Sequence, residues 1–508
     1  MVYAALVCLT FVAVASSALL KVPYPLRNDQ ALFLLFGYNI DQGSVLYSDI
    51  WDIKQPGVFL FYYVAGRFFG FTDVGVHIFE MLWNLGFAAL IIGLSRPHFA
   101  SRWIASIAPF FIIIQYAYTS ASEQTQVETL VAFPILASAL LAIRAAGAGV
   151  GASAAVLALL AGMCGGIAAA FKIPFALIVT VLHGYVLLCA ARSGMPLRHV
   201  ILRLALPWSV GAGLIWLAML GYFASNGAAA AFLLTTFVYP FTGAMTLEPA
   251  PFLRLFIGGA QLAVTLAPWL CLAAGFLLPG RVAERVPLAP LLLIWIGVEV
   301  FDILVQRFSW WPYHWFLLLA PAFLLCMLGL DRIVAVPFVA ADLARRHRSF
   351  MLFLLLAPFT VVLSQLGQNA FTVVEAGWPR AFDGRAFRSA VDRNYDGVVA
   401  ASAAFPGDCQ RERIYVLGTP AIYRELDCSF GYRYSGQNLP YITAAQRADL
   451  VQQLRANPPE WIFIAPPMAK RMEQLAVREP DLTTLIDTEY RLAAYGDWGT
   501  WHRRIVKP

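Results

Sequence analysis

Charge is what this sequence has least of. Only 13% of its 508 residues are Asp, Glu, Lys or Arg, against roughly 25% in an ordinary soluble chain. The shortage is uneven: of 36 Lys and Arg, 19 precede residue 370 and 17 fall in the last 139 residues. The first three quarters thus have a lipid-soluble composition and the last quarter a water-soluble one. No Lys/Arg tract occurs and the net charge of +6 is diffuse, so nothing here reads as a nucleic-acid-binding arm. GxGxxG, a Walker loop, HExxH, a CxxC pair and internal repeats are also missing, so no specific motif supports a nucleotide or metal site. The opening stretch 2–20 lacks the basic flank of a signal peptide and reads as a retained helix.

Long apolar runs are what the chain has instead. They occur at 2–20, 75–94, 103–118, 129–143, 153–171, 174–191, 204–223, 255–279, 287–305, 313–330 and 350–366. Each is long enough, or nearly so, to span a bilayer. They predict a polytopic α-helical membrane protein with about eleven transmembrane helices over 1–369, then a small soluble α/β domain over 370–508. The aromatic run Gly57–Phe71 carries Arg67 and reads as a juxtamembrane helix inside a first outer loop, 21–74. With the N-terminus in the cytoplasm, inner loops hold twelve Lys and Arg and outer segments seven. The cluster Arg345-Arg346-His347-Arg348 then lies inside, within an interfacial helix at 331–349, as the positive-inside rule asks. The C-terminal domain falls outside the cytoplasm.

In that domain Arg413–Gly418 and Trp461–Ala465 read as strands. Thr443 reads as the cap of a helix over Ala444–Ala456, and a further helix is expected from Met468. Five cysteines (Cys8, Cys164, Cys189, Cys271, Cys326) lie in apolar runs and read as apolar filler. Cys409 and Cys428 flank the first strand. Outside the cytoplasm they should form a disulfide; inside they should be thiols.

Polar residues concentrate in the first outer loop. Its stretch Lys21–Pro56 is about 35 residues long and rich in carboxylates and aromatics, far more than joining two helices requires. Asp29 stands near the end of the first helix and reads either as a general base or as the N-cap of a helix starting at Gln30. Asp49 and Asp52 read as turn or cap residues, and Lys54-Gln55-Pro56 closes the segment. A second outer loop, YTSASEQTQVETL, offers Glu123 and Glu128, either solvated or facing a site. Lys172 either snorkels or meets a lipid phosphate. Arg307, Tyr313 and His314 mark another outer helix end, where Arg307 with His314 could bind phosphate oxygens. Carboxylates beside cations suit a phosphate-bearing donor next to a nucleophile that must lose a proton. A divalent cation held by Asp29 with Glu123 or Glu128 is left open.

These residues resemble the GT-C glycosyltransferases, which use polyprenyl-phosphate sugars. The resemblance is closest to the bacterial branch related to protein mannosyltransferases and lipid A aminoarabinose transferases. It rests on Asp29, on Tyr47-Ser48-Asp49-Ile50-Trp51-Asp52-Ile53-Lys54-Gln55-Pro56-Gly57 with its aromatic helix ending at Phe69-Gly70, on the acidic second outer loop, and on Tyr313-His314 through Pro321. It implies Asp29 as catalytic base and Lys54 as the contact to the lipid phosphate, with Lys172 and Arg307 as further basic positions. Glu123 or Glu128 stands where many members have Asp, a departure that puts a borrowed metal site in doubt. The resemblance further implies a multi-pass protein of the bacterial inner membrane. It would move a sugar, with inversion, from a polyprenyl-phosphate donor to a glycan, lipid or protein hydroxyl on the outer face. Two rival classes are a transporter or flippase of lipid-linked sugars and a non-catalytic assembly partner. Against the first, nearly all charges sit at helix ends, with Glu299 and Asp302 the nearest exceptions.

Overall fold

Backbone amides in hydrocarbon must bond within their own segment, and Leu-, Ala-, Ile- and Val-rich runs meet that demand as helices. The computed structural model describes residues 2–149, 151–242, 249–273, 275, 286–307, 310–335, 358–409, 411–466 and 480–505. Among them, eight helices are long and apolar enough to cross a membrane: Asp73–His98, Val127–Gly147, Ala152–Phe171, Phe175–Arg192, Leu197–Ser225, Phe252–Leu270, Leu288–Val305 and Pro312–Val334. Tyr3–Leu19 and Ala229–Thr242 are shorter apolar helices. The chain is a multi-pass helical membrane protein with a small sheet near its C-terminus.

Most expected spans are present, with local differences. The run at 103–118 is divided into Arg102–Ile107 and Phe110–Tyr118. Pro109 stands at the break, where its missing N–H interrupts the helical ladder. The run expected at 350–366 is described only from residue 358 and is helical from there to 375. Helix between 229 and 242 was not expected, and its middle, Leu234–Val238, is π-helical. Arg281, Arg285, the Arg345–Arg348 cluster, most of the 331–349 segment, the Cys271 side chain and the start of the helix expected from Met468 lie outside the described residues.

The chain divides into two compact units. One comprises Met1–Val22, His77–Met219 and Pro249–Phe371; the other comprises Pro23–Val76, Leu220–Glu248 and Thr372–Pro508. In the first, small residues let backbones approach. A Cβ at Gly162 would run into the Trp208 carbonyl, one at Gly211 into that of Leu159, and one at Gly166 would lie 2.9 Å from that of Ala212. Close approach of this kind replaces the hydrophobic drive that helices lack in lipid.

The second unit carries a four-stranded sheet: β1 (Ile414–Leu417), β2 (Trp461–Ile464), β3 (Tyr490–Gly496) and β4 (Gly499–Arg504), in the order β1-β2-β4-β3. β1 and β2 pair in parallel and β4 runs antiparallel to both neighbours. Parallel strands need a crossover, and the helix Ala444–Ala456 lies between β1 and β2 in the chain. Thr443 caps it as expected: its Oγ1 accepts from Gln446 N (3.4 Å) and its N–H donates to Gln446 Oε1 (2.8 Å). Both strands expected from sequence are present, and Cys409 is disulfide-bonded to Cys428. The hairpin of β3 and β4 was not foreseen.

Segments far apart in sequence knit this unit together. Trp51 N donates to the Arg433 carbonyl at 2.7 Å, and Arg433 Nη2 donates to the Tyr47 carbonyl at 2.7 Å. Trp51 Nε1 donates to Thr235 Oγ1 at 3.1 Å, and its ring meets Tyr239 edge-on. Arg424 pairs with Asp73, whose Oδ1 also accepts from Leu26 N at 3.1 Å.

Candidate active site

Asp29 does not cap its helix. The helix runs Asn28–Asp41 with Arg27 as N-cap, and Gln30 Oε1 accepts from Arg27 N at 3.1 Å. With Gln30 in the capping role, the Asp29 side chain is left for other partners. It sits in the first turn, where a carboxylate also suits the helix dipole.

Those partners form a closed ring. Lys54 Nζ donates to Asp29 Oδ2 at 3.1 Å, and Lys54 N donates to Asp52 Oδ1 at 2.8 Å. Asn438 Nδ2 donates to Asp52 Oδ2 at 2.9 Å, and Gln437 Nε2 returns to Asp29 Oδ1 at 2.7 Å. Both oxygens of each carboxylate are engaged. Two features of the first loop hold Lys54: its carbonyl accepts from Tyr47 OH at 2.7 Å, and its ammonium lies 5.0 Å from the centre of the buried Phe33 ring. Asp49, by contrast, accepts from Val45 N at 2.7 Å and is an exposed turn residue, as one sequence reading had it. Asp52 is fully buried, more than a turn residue requires.

The ring is electrostatically tense. Burial pushes the Asp52 carboxyl up. Lys54 and the bonds from Lys54 N and Asn438 pull it down, while the Asp29 charge adds to the upward push, and the net shift is upward. Burial alone would lower the Lys54 ammonium, but Asp29 and Asp52 outweigh it and Lys54 is held above its ordinary value. Burial, reinforced by Asp52, also raises the Tyr47 phenol. Lys54 is therefore a firmly charged cation between two carboxylates.

A second polar network lies in the other unit. Lys172 Nζ donates to Glu128 Oε1 at 3.0 Å and also to Gln306 Oε1, while Gln306 Nε2 donates to Asp302 Oδ2 at 2.6 Å. His314 Nε2 lies 3.5 Å from Glu128 Oε1, and Tyr313 meets the His314 ring edge-on. Glu128 is buried, and Glu299 is buried in the Leu288–Val305 helix. Glu123 plays a different part: its Oε2 accepts from Ser120 N at 2.9 Å and closes a capping box. The two glutamates that sequence left open are thus a cap (Glu123) and a buried ion-pair partner (Glu128). The Arg307 carbonyl accepts from Ala250 N at 2.7 Å, and its side chain is exposed.

The residues that sequence grouped on one face thus fall into two networks, Asp29 with Lys54 in one unit and Glu128, Lys172 and His314 in the other. Among the described residues, no group of three or more His, Cys, Asp or Glu side chains is arranged to hold a metal ion. Sequence reasoning missed Gln437 and Asn438, two neutral amides in the short 3₁₀ helix Gly436–Tyr441. It also missed Glu80, buried and accepting from Thr125 N (3.1 Å) and Thr125 Oγ1 (2.9 Å). The one available signal for Glu80 was a carboxylate inside an apolar run.

This chain, a helical membrane body with a small sheet near its C-terminus, has an ArnT-like fold. Two solved structures share it over nearly the whole chain: ArnT from Cupriavidus metallidurans bound to undecaprenyl phosphate, and the same protein in the apo state. Each gives a TM-score of 0.60, with 15% and 14% sequence identity, and each match covers 98% of this chain and 98% of that one. At such identity the likeness is one of fold. No protein-family model and no curated protein sequence matches the chain.

Proposed function

We propose that this protein is a glycosyltransferase that moves a sugar from a polyprenyl-phosphate donor to an acceptor hydroxyl. The observation that carries the reading is the ion pair of Asp29 with Lys54 in a chain of ArnT-like fold. The solved ArnT bound to undecaprenyl phosphate supports a lipid phosphate as ligand.

The acceptor hydroxyl gives its proton to Asp29 as its oxygen attacks the anomeric carbon. The bond from that carbon to the phosphate oxygen breaks, and polyprenyl phosphate leaves with the bonding pair. Lys54 offsets the charge that develops on it. One displacement inverts the anomeric centre. The same reading gives Lys172, Arg307, His314 and Tyr313 donor-phosphate roles and Glu128 an acid role. It also places the N-terminus in the cytoplasm and the C-terminal domain outside a bacterial inner membrane. A transporter is the second reading; the buried Glu299 and Asp302 of the Leu288–Val305 helix favour it, because intramembrane carboxylates often line ion paths.

The test uses the full chain in nanodiscs. Mannosyl, glucosyl, galactosyl and 4-amino-4-deoxyarabinosyl undecaprenyl phosphates, radiolabelled in the sugar, are supplied with a bacterial envelope extract as acceptor. Label should leave the lipid for an acceptor as undecaprenyl phosphate is released. Asp29→Asn should slow transfer by about 10²-fold or more. Transfer from none of these donors, or an Asp29→Asn rate equal to wild type, overturns the reading. Sugar-lipid flux across proteoliposomes without transfer would establish the transporter instead.

A further inference from the structure

Asp29 accepts hydrogen bonds from two unlike donors: Lys54 brings a positive charge, and Gln437 a neutral amide at 2.7 Å. The amide comes from the C-terminal domain and is firmly placed. Gly436 lies so close to β1 that a Cβ would collide with the Val416 carbonyl, so only glycine fits there. Gln437 N donates to Ser435 Oγ at 3.3 Å, and Asn438 N donates to the Ser435 carbonyl at 2.9 Å. The neighbouring Asn438 side chain is bonded to Asp52. Yet Gln437 Oε1 is buried and finds no hydrogen-bond partner among the described residues. A glutamine kept only to pin a domain would have both ends satisfied. Here one end is committed to the carboxylate and the other is open.

We propose that Gln437 is a positioning residue for Asp29, through which the C-terminal domain aims the base. The inference rests on the glycosyltransferase reading above. In that reaction Lys54 turns to the departing phosphate, and a carboxylate held by Lys54 alone would follow it. Gln437 keeps Oδ1 anchored, so Oδ2 stays directed at the acceptor. An amide carries no charge, so it orients the carboxylate without neutralising it.

Gln437→Ala and Gln437→Glu, in the full chain in nanodiscs with the same labelled donors, test this. Gln437→Ala should lower kcat roughly 10- to 100-fold, the scale of a misplaced catalytic group. The donor KM and the thermal melt should stay at wild-type values. Gln437→Glu is isosteric. At pH 7.5 its carboxylate opposes Asp29 and activity should fall further. As pH drops towards about 5 the new acid protonates and can donate again, so activity relative to wild type should recover. Wild-type turnover in Gln437→Ala overturns the proposal. So does a loss in Gln437→Glu that is the same at every pH, or one that tracks a lowered melt. Asp29→Asn beside them separates the two failures. If it is inactive while both Gln437 variants turn over normally, positioning alone falls; if it is fully active, the base and its positioning fall together.

Discussion

Gln437 Nε2 and Asp29 Oδ1 lie 2.7 Å apart in space and 408 residues apart in sequence. With Lys54, Asp52 and Asn438 they close a ring in which Asp29 takes the Lys54 ammonium, Asp52 takes the Lys54 backbone N–H, and each carboxylate accepts from one amide. The chemistry of each member is therefore set by the others, and substitutions should reveal this.

Lys54 should govern the lipid phosphate. Lys54→Ala removes a charge-assisted contact of about 1.5–3 kcal/mol, so undecaprenyl phosphate should bind roughly 10- to 100-fold more weakly. Lys54→Arg keeps the charge and should fall between. Calorimetric titration of the purified protein with undecaprenyl phosphate measures both. Equal affinity in wild type and Lys54→Ala would remove Lys54 from the donor site.

Glu123 and Glu128 should part company. Losing the Glu123 cap should cost about 1 kcal/mol and leave most function intact. Glu128→Ala leaves the Lys172 ammonium without its carboxylate, a loss on the order of 3–5 kcal/mol for a buried pair. Thermal melts of both variants decide this; equal losses would mean the Lys172 pair is worth little.

Stability should rise with pH on the alkaline side. Lys21 is buried, and burial holds its ammonium down to about 8 against the opposing pull of Glu80. In the unfolded chain the same group titrates at its ordinary value of 10.5. Between these values the unfolded chain binds more protons, so stability increases with pH. Below about 8 both states are charged and the fold carries the full cost of the buried ammonium. The melting temperature should therefore climb from pH 7.5 to 9.5. Lys21→Met should melt higher at pH 7 and lose that climb. A variant as pH-sensitive as wild type would assign the effect to another group.

Sidedness can be read from the disulfide of Cys409 with Cys428. If the C-terminal domain is outside, a membrane-impermeant maleimide should label these cysteines in intact spheroplasts only after reduction. Labelling confined to inverted vesicles would reverse the topology.

The membrane helices were legible because lipid burial writes a long, unambiguous run into the chain, as in 127–147 or 152–171. Strands β1 and β2 were legible for a similar reason: Ile414–Leu417 and Trp461–Ile464 are buried throughout. β3 hid because it is largely exposed and its middle, Arg491-Leu492-Ala493-Ala494, favours no strand. Asp29 and Lys54 stood out as charges beside a helix end. Asp52 was harder, since burial rather than residue type distinguishes it from Asp49. Gln437 and Asn438 gave no signal at all, because a neutral amide acquires meaning only from what it touches. Tertiary placement also separated Glu123 from Glu128, which five residues of sequence could not do.

The second compact unit draws on residues 23–76, 220–248 and 372–508, and this gives its assembly an order in time. The loop bearing Asp29 leaves the ribosome first and must wait through the synthesis of every intervening helix before Gln437 exists. A chain stalled or clipped before that point keeps its acid and its lysine but not the amide that completes their ring. Asp29 thus gains its second donor only once residue 437 has been made and folded against the first loop.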